Sequence, residues 1–233
     1  MARRRWSSRA KPRLLAAVLL VVLVGGAMLW WHLRHWQPDR AVYRVQGVEI
    51  GSDDGTIDWK ALKATGADFA YIDASASAFA RDPAFVRNLD DARAAGLQVG
   101  AVHKYDPCQP ADRQAANFVT VVPRGAEFLP PAVDLDMLAD NCPVAVTEAA
   151  VQSELMTFLN QIETHTGKPA ILKISRRFEK RYRMAAAIDR NIWVTGDRFQ
   201  PDYAGRPWTL WTANSALASA VEPEPLRWVV VQP

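Results

Sequence analysis

From Tyr43 to the end of the chain, short apolar runs alternate with stretches whose apolar residues recur every three or four positions. The runs are YRVQGVEI (43–50), FAYIDA (69–74), LQVGAVHKY (97–105), PPAVDLDM (130–137), PAILKIS (169–175), NIWVTG (191–196), PWTLWTA (207–213) and RWVVVQ (227–232). They are mostly β-branched and aromatic, and each reads as a strand. Between them, IDWKALKATG starts a helix at Asp58 or Thr56 and stops at Gly66. PAFVRNLDDARAAG has Pro83 at its first helical position and Gly96 after its end. Residues 109–121, 147–166 and 176–187 read as three further helices, and nothing helical separates the last two strands. Alternating strands and helices predict a parallel sheet with crossover helices. Eight strands between residues 43 and 233 predict a compact, partly degenerate α/β barrel of the TIM type.

The front of the chain follows a different pattern. Residues 1–13, MARRRWSSRAKPR, form a basic tail with no acid. Residues 14–31, LLAAVLLVVLVGGAMLWW, carry no charge and are about long enough to span a bilayer. The basic flank predicts a cytoplasmic N-terminus, with everything after Trp31 on the extracytoplasmic side of an inner, cytoplasmic-type membrane. Gly25, Gly26 and Ala27 leave a cleaved signal peptide as the competing reading. The apolar run continues past them to Trp31, which makes it long for a signal core and favours an uncleaved, single-pass anchor. Residues 32–42 read as a polar tether, and residues 43–233 as the barrel.

Charge alters the picture once the tail is set apart. Seven of the 28 basic residues precede Asp39 and none of the 25 acids does, so the remainder carries a net charge of −4. A mildly acidic exported domain is a poor candidate for binding nucleic acid. Cys108 and Cys142 lie in loop-like stretches just after strands, and an exported compartment permits a disulfide between them. Neither has the companions that a zinc site needs. No metal or organic cofactor is expected.

In a parallel barrel the working residues come from the C-terminal ends of the strands. Here those ends carry Glu49, Asp73, His103, Tyr105, Asp134, Asp136, Lys173 and Trp211. Asp134 and Asp136 stand two apart on one strand and so share a face, where like charges raise at least one pKa. An acidic cleft with aromatic residues suits a sugar polymer: carboxylates move protons and aromatic faces stack on pyranose rings. Trp59, Trp193 and Trp208 read as core, Trp211 as a sugar platform, and RRFEKRYR (176–183) as a solvated helix face.

Several segments together resemble glycoside hydrolase family 25, the Chalaropsis-type lysozymes. GVEIGSDDGTIDW (47–59) resembles the family's opening G-[IV]-D-[VI]-S-x-x-Q-G-x-[IV]-D-W. FAYIDASAS, AGLQVGAVHKY, QAANF (114–118), LPPAVDLD, GKPAILKIS and RPWTLWTAN resemble later family segments in order. The resemblance implies a modified barrel of five β/α units plus three further strands. It also implies hydrolysis of the β-1,4 bond between N-acetylmuramic acid and N-acetylglucosamine in peptidoglycan. The family's D-x-E falls on Asp134 and Asp136, which makes Asp134 the charge stabiliser and Asp136 the proton donor. The family's first-strand Asp falls on Glu49, the expected catalytic partner. Asp73, His103, Tyr105 and Trp211 are the expected substrate contacts.

The departures are specific. An Asp stands where the family has its acidic Glu, so its carboxyl is set back by about 1 Å, a misplacement that can cost about a hundredfold in rate. Glu49, one methylene longer than the residue it replaces, could compensate. The family's second-strand Lys becomes Asp73. Its late Asp would fall at Arg227, a cation that pulls neighbouring carboxyl pKa values down. Two functional classes stay open: a membrane-anchored muramidase with altered carboxylates, or an impaired barrel that binds peptidoglycan or an envelope protein.

Overall fold

A computed structural model describes residues 10–125, 127–219 and 224–233. The basic tail lies almost wholly outside the described residues. The chain forms two compact units, residues 1–36 and residues 37–233.

In the first unit, helix α1 (Ala10–Arg34) runs three residues beyond the expected apolar span. Its segment Leu14–Arg34 is long and apolar enough to cross a membrane by length and composition. A helix of 25 residues is roughly 37 Å long, more than a bilayer's hydrocarbon core.

The second unit is a closed barrel. Its strands are β1 (Gln46–Ile50), β2 (Phe69–Ala76), β3 (Ala80–Arg81), β4 (Gln98–Lys104), β5 (Ala132–Leu135), β6 (Ile171–Ile174), β7 (Asn191–Thr195), β8 (Leu210–Leu217) and β9 (Leu226–Val231). The order is β1-β9-β8-β7-β6-β5-β4-β2-β3, and β1 also pairs with β2 to close the ring. All pairings from β1 through β2 and β4 to β8 are parallel, whereas β9 is antiparallel to both its neighbours. The ring therefore has eight strands. Two-residue β3 only hooks back on the end of β2 and had too few residues to show as an apolar run.

The helices are α2 (Trp59–Ala64), α3 (Phe85–Ala94), α4 (Ala111–Val121), α5 (Glu148–Thr166), α6 (Arg176–Tyr182) and α7 (Met184–Ala187). Asp58, Thr147 and Ser175 cap α2, α5 and α6, each accepting a backbone N–H of the first turn. Two expectations are corrected. Helix α3 begins at Phe85 rather than Pro83, because the Asp82 carboxylate takes the Ala84 N–H and holds Pro83 and Ala84 in a turn. The single helix expected over 176–187 is two, broken at Arg183 with φ 54°.

Residues on the inner wall alternate with residues that face the helices. Phe69, Tyr71, Val102, Ala132, Ile171, Trp193, Leu210 and Val229 fill the interior as one apolar cluster. Gly100 stands beside the Tyr71 ring, and a Cβ there would collide with it. Part of the stretch read as a polar tether packs on the barrel: Gln46 Nε2 donates to the Pro38 carbonyl at 3.1 Å, and Arg40 pairs with Asp68. Cys108 and Cys142 are joined, with Cα atoms 5.2 Å apart, and tie the loop after β4 to the loop after β5.

Candidate active site at the barrel mouth

At the C-terminal ends of the parallel strands the apolar filling gives way to charge. The inward phase that places Phe69 and Tyr71 in the core carries Asp73 to the mouth. The same phase carries Lys104 after Val102, Asp134 after Ala132 and Lys173 after Ile171. The antiparallel register sets Arg227 of β9 opposite Glu49 of β1.

Three cations tie these carboxylates together. Lys173 Nζ donates to Glu49 Oε1 at 2.5 Å and to Asp134 Oδ2 at 2.9 Å. Lys104 Nζ lies 2.8 Å from Asp73 Oδ2. Arg227 donates to Asp54 Oδ2 at 2.8 Å and lies 3.7 Å from Asp73 Oδ2 and 3.9 Å from Glu49 Oε2. Asp54 comes from a short 3-10 turn, Ser52–Asp54, and also accepts the Gly51 N–H at 2.6 Å. The carboxylates Glu49, Asp54, Asp73 and Asp134 thus meet three positive groups in a largely buried layer.

The protonation pattern follows from this packing. Burial alone would raise the Glu49 carboxyl, but Lys173 and Arg227 outweigh it and hold Glu49 below the usual range. Burial raises Asp134 despite Lys173, and the negative charge of Glu49 adds to the rise. Asp73 is pushed up to about 6 by burial and by Glu49, against the pull of Lys104 and Arg227. Lys173 is itself pushed up: burial opposes its charge, but Glu49 and Asp134 prevail.

Asp136 stands apart. An open cleft of about 650 Å³ is lined by Ala76, Ser77, Lys104, Tyr105, Asp134, Asp136 and Arg177, among others. The Asp136 carboxylate is half exposed to it and accepts both the Nε and an Nη of Arg177. Burial is the largest single influence and raises it, but hydrogen bonds from Arg177 and Ser175, with the charges of Arg177 and Lys173, together outweigh it and hold the carboxyl below the ordinary range.

The structure brings Asp134, Asp136 and Tyr105 to the cleft; Asp73 does not line it but pairs with Lys104, which does. Glu49 is at the mouth but does not reach the cleft. Its side chain is 1% exposed and bonded to Lys173, so it does not fill the space that the shorter Asp136 leaves.

His103 and Trp211 are not at the cleft. His103 follows inward-facing Val102 on β4 and so faces outward, and a bulge in β2 after Asp73 sets Ser75 opposite it. There its Nδ1 meets Ser75 Oγ at 2.9 Å and its ring packs on Phe118 and Phe158. Burial drives His103 down to about 4, so it is neutral near pH 7. Trp211 follows inward-facing Leu210 and so lies outside the barrel, buried against Tyr43 and Trp208, with Nε1 donating to the Gly196 carbonyl.

Lys173 was among the polar strand ends picked out from sequence, whereas Lys104 and Arg177 were not singled out as site residues. For Lys104 the signal was present, since it too lies at the end of a strand. The run 176–183 is only partly a solvated face: Arg177 turns to Asp136 and Arg181 to Glu148 and Asp140.

Comparison with known proteins agrees with this architecture. The family described as "Glycosyl hydrolases family 25" matches residues 48–216. Escherichia coli K12 YegX, an uncharacterized protein, is 25% identical over 178 residues. That match covers 73% of this chain and 63% of YegX, so the chain accounts for less than two thirds of that relative's length. The structure of a family 25 glycosyl hydrolase from Bacillus anthracis is similar, with a TM-score of 0.78 and 26% identity over 87% of this chain and 94% of that one. The bacterial lysozyme from Streptomyces coelicolor shares the fold, with a TM-score of 0.72 and 19% identity, covering 81% and 92% of the two chains.

Proposed function

The chain belongs to glycosyl hydrolase family 25, and on that premise we propose that its barrel is a peptidoglycan-directed, lysozyme-like hydrolase that is slow at neutral pH. The observation that carries this reading is the Asp134–Asp136 pair at the end of β5, opening into the cleft at the barrel mouth. Asp136 is the only one of the expected catalytic carboxylates with a half-exposed side chain, so it is the one a glycosidic oxygen can approach. It gives its proton to that oxygen as the bond from C1 breaks. Water then supplies the hydroxyl to C1 and its remaining proton restores Asp136. Asp134, whose negative charge Lys173 favours against the burial that opposes it, stabilises the positive charge that develops on the sugar.

The same geometry explains why the rate is low. A general acid must hold its proton near the working pH, and Arg177 favours the ionised form of Asp136. Lys173 also spreads a positive charge beneath a cationic transition state. These two cations favour a second reading, a barrel that holds peptidoglycan strands without cleaving them. Helix α1 supports a membrane-tethered, extracytoplasmic placement for either reading, with the basic tail on the cytoplasmic side.

The test incubates the full chain in detergent micelles with purified peptidoglycan and looks by mass spectrometry for new muramic-acid reducing ends. Asp134→Asn serves as the control. Product that vanishes in the control supports the hydrolase. Sedimentation with the wall and no product at any pH sinks it in favour of the binding barrel.

A further inference from the structure

Two phenylalanines on the mouth side of the barrel contribute nothing to its core. Phe79 is 74% exposed and Phe199 84%. Phe79 sits in the turn between β2 and β3, and Phe199 in the loop after β7. Strands β2 and β7 are four steps apart in either direction around the eight-stranded ring, so the two rings stand on opposite sides of the mouth.

Neither is displayed on slack chain. Among the described residues, three that are not glycine have positive φ, and two of them precede these rings: Ser77 at 53° and Arg198 at 67°. Such backbone persists only where the surroundings hold it. Asn117 Nδ2 donates to the carbonyls of Ala80 (2.9 Å) and Ser77 (3.2 Å), while its Oδ1 accepts Arg81 Nε at 2.9 Å. Ser77 Oγ donates to Asp106 Oδ2 at 3.0 Å. In the other loop, Arg198 N–H donates to the Ala213 carbonyl at 2.7 Å, and the Asp197 carboxylate accepts the Ser215 N–H and Oγ at 2.7 and 3.0 Å. Two braced loops that each expose a large apolar ring are costly in water unless something covers the ring.

The cleft lies between them. Ala76 and Ser77, at the foot of the Phe79 turn, line one end, and Arg177 lines the other. Next to Arg177, Arg176 stacks on Tyr203 at 4.9 Å and reaches Asp202 at 3.9 Å, both in the loop that carries Phe199. The path from one phenylalanine to the other therefore passes over Asp134 and Asp136.

We infer that Phe79 and Phe199 are the two aromatic platforms of an extended glycan groove, stacking on the C–H faces of pyranose rings on either side of the Asp134–Asp136 pair. This rests on the glycan reading given above. A β-linked chain presents such apolar ring faces along its length, and an uncharged aromatic surface matches them. The polar lining between the platforms is left to meet hydroxyl and acetamido groups. A short oligosaccharide covers one platform, and a long one covers both.

Calorimetric titration of the full chain in micelles with the hexamer and the trimer of N-acetylglucosamine tests this. Phe79→Ala and Phe199→Ala should each weaken hexamer binding by about tenfold, and the double variant by more than either alone. Phe79→Tyr and Phe199→Tyr should retain it, and the trimer should lose affinity with at most one of the two alanine changes. Wild-type binding that neither alanine change weakens would overturn the platforms and leave the glycan reading intact; the rings would then belong to a protein or lipid contact. A wild-type chain that binds neither oligomer nor wall would overturn the glycan reading and this inference with it.

Discussion

Asp73→Asn removes a carboxyl group that the fold holds at a cost. Its side chain is 7% exposed, and burial together with the negative charge of Glu49 lifts its pKa from an ordinary 3.8 to about 6. A carboxyl whose folded pKa is raised contributes stability that is fully present below its unfolded value. That contribution is lost as the pH climbs through the folded one. The gap between the two values corresponds to about 3 kcal/mol. Asn keeps the shape and has no charge to penalise. The stability of the variant relative to wild type should therefore improve by about 3 kcal/mol between about pH 3.5 and about pH 7.5, with most of the change between 4 and 6. Urea unfolding of both proteins, followed through the near-ultraviolet signal of buried Trp193 and Trp228, measures this across the range. Parallel curves would mean that Lys104 and Arg227 fully offset the burial of Asp73, and would refute the reasoning. Curves that diverge the other way would mean that Asp73 is a net stabilising anion.

Lys173→Met leaves Glu49 and Asp134 buried without their shared cation. It should cost about 3–5 kcal/mol at neutral pH and less in acid, where the carboxyls can protonate, as read from urea midpoints at two pH values. Arg177→Gln frees Asp136 from the bonds that keep it ionised. The alkaline limb of peptidoglycan hydrolysis, where Asp136 loses its proton, should move to higher pH while the unfolding midpoint barely changes, since the Arg177–Asp136 pair is exposed. Reducing the Cys108–Cys142 bond opens a loop of sequence separation 34 and should lower stability by about 2–4 kcal/mol, seen as an earlier thermal transition in reductant.

Family membership sharpens the meaning of the charged layer. The resemblance puts a Lys where this chain has Asp73, and an Asp where it has Arg227. In the fold Asp73 and Arg227 lie 3.7 Å apart, so opposite charges face each other within the layer. Lys173 bonds both Glu49 and Asp134. A further strand-end cation, Lys104, completes the layer by covering Asp73.

The sequence by itself determined the strand count of the ring and the end at which chemistry could sit. These rest on local signals: β-branched and aromatic apolar runs, Asp58 before a helix, Gly66 and Gly96 after two, and a basic flank before an apolar span. The two-residue spacing marked Asp134 and Asp136 as neighbours on one face. Tertiary structure decided which polar residues share a cavity. His103 and Trp211 end strands as Asp134 does, but they follow inward-facing Val102 and Leu210 and so turn outward, and a shift of one residue in phase changes the face. Arg227 meets Asp54 and Asp73 only because β9 runs antiparallel between β1 and β8, a pairing across more than 150 positions of chain. Partners that distant leave no local pattern. Their charges are set against one another only when the barrel closes and removes the water that would otherwise have screened them.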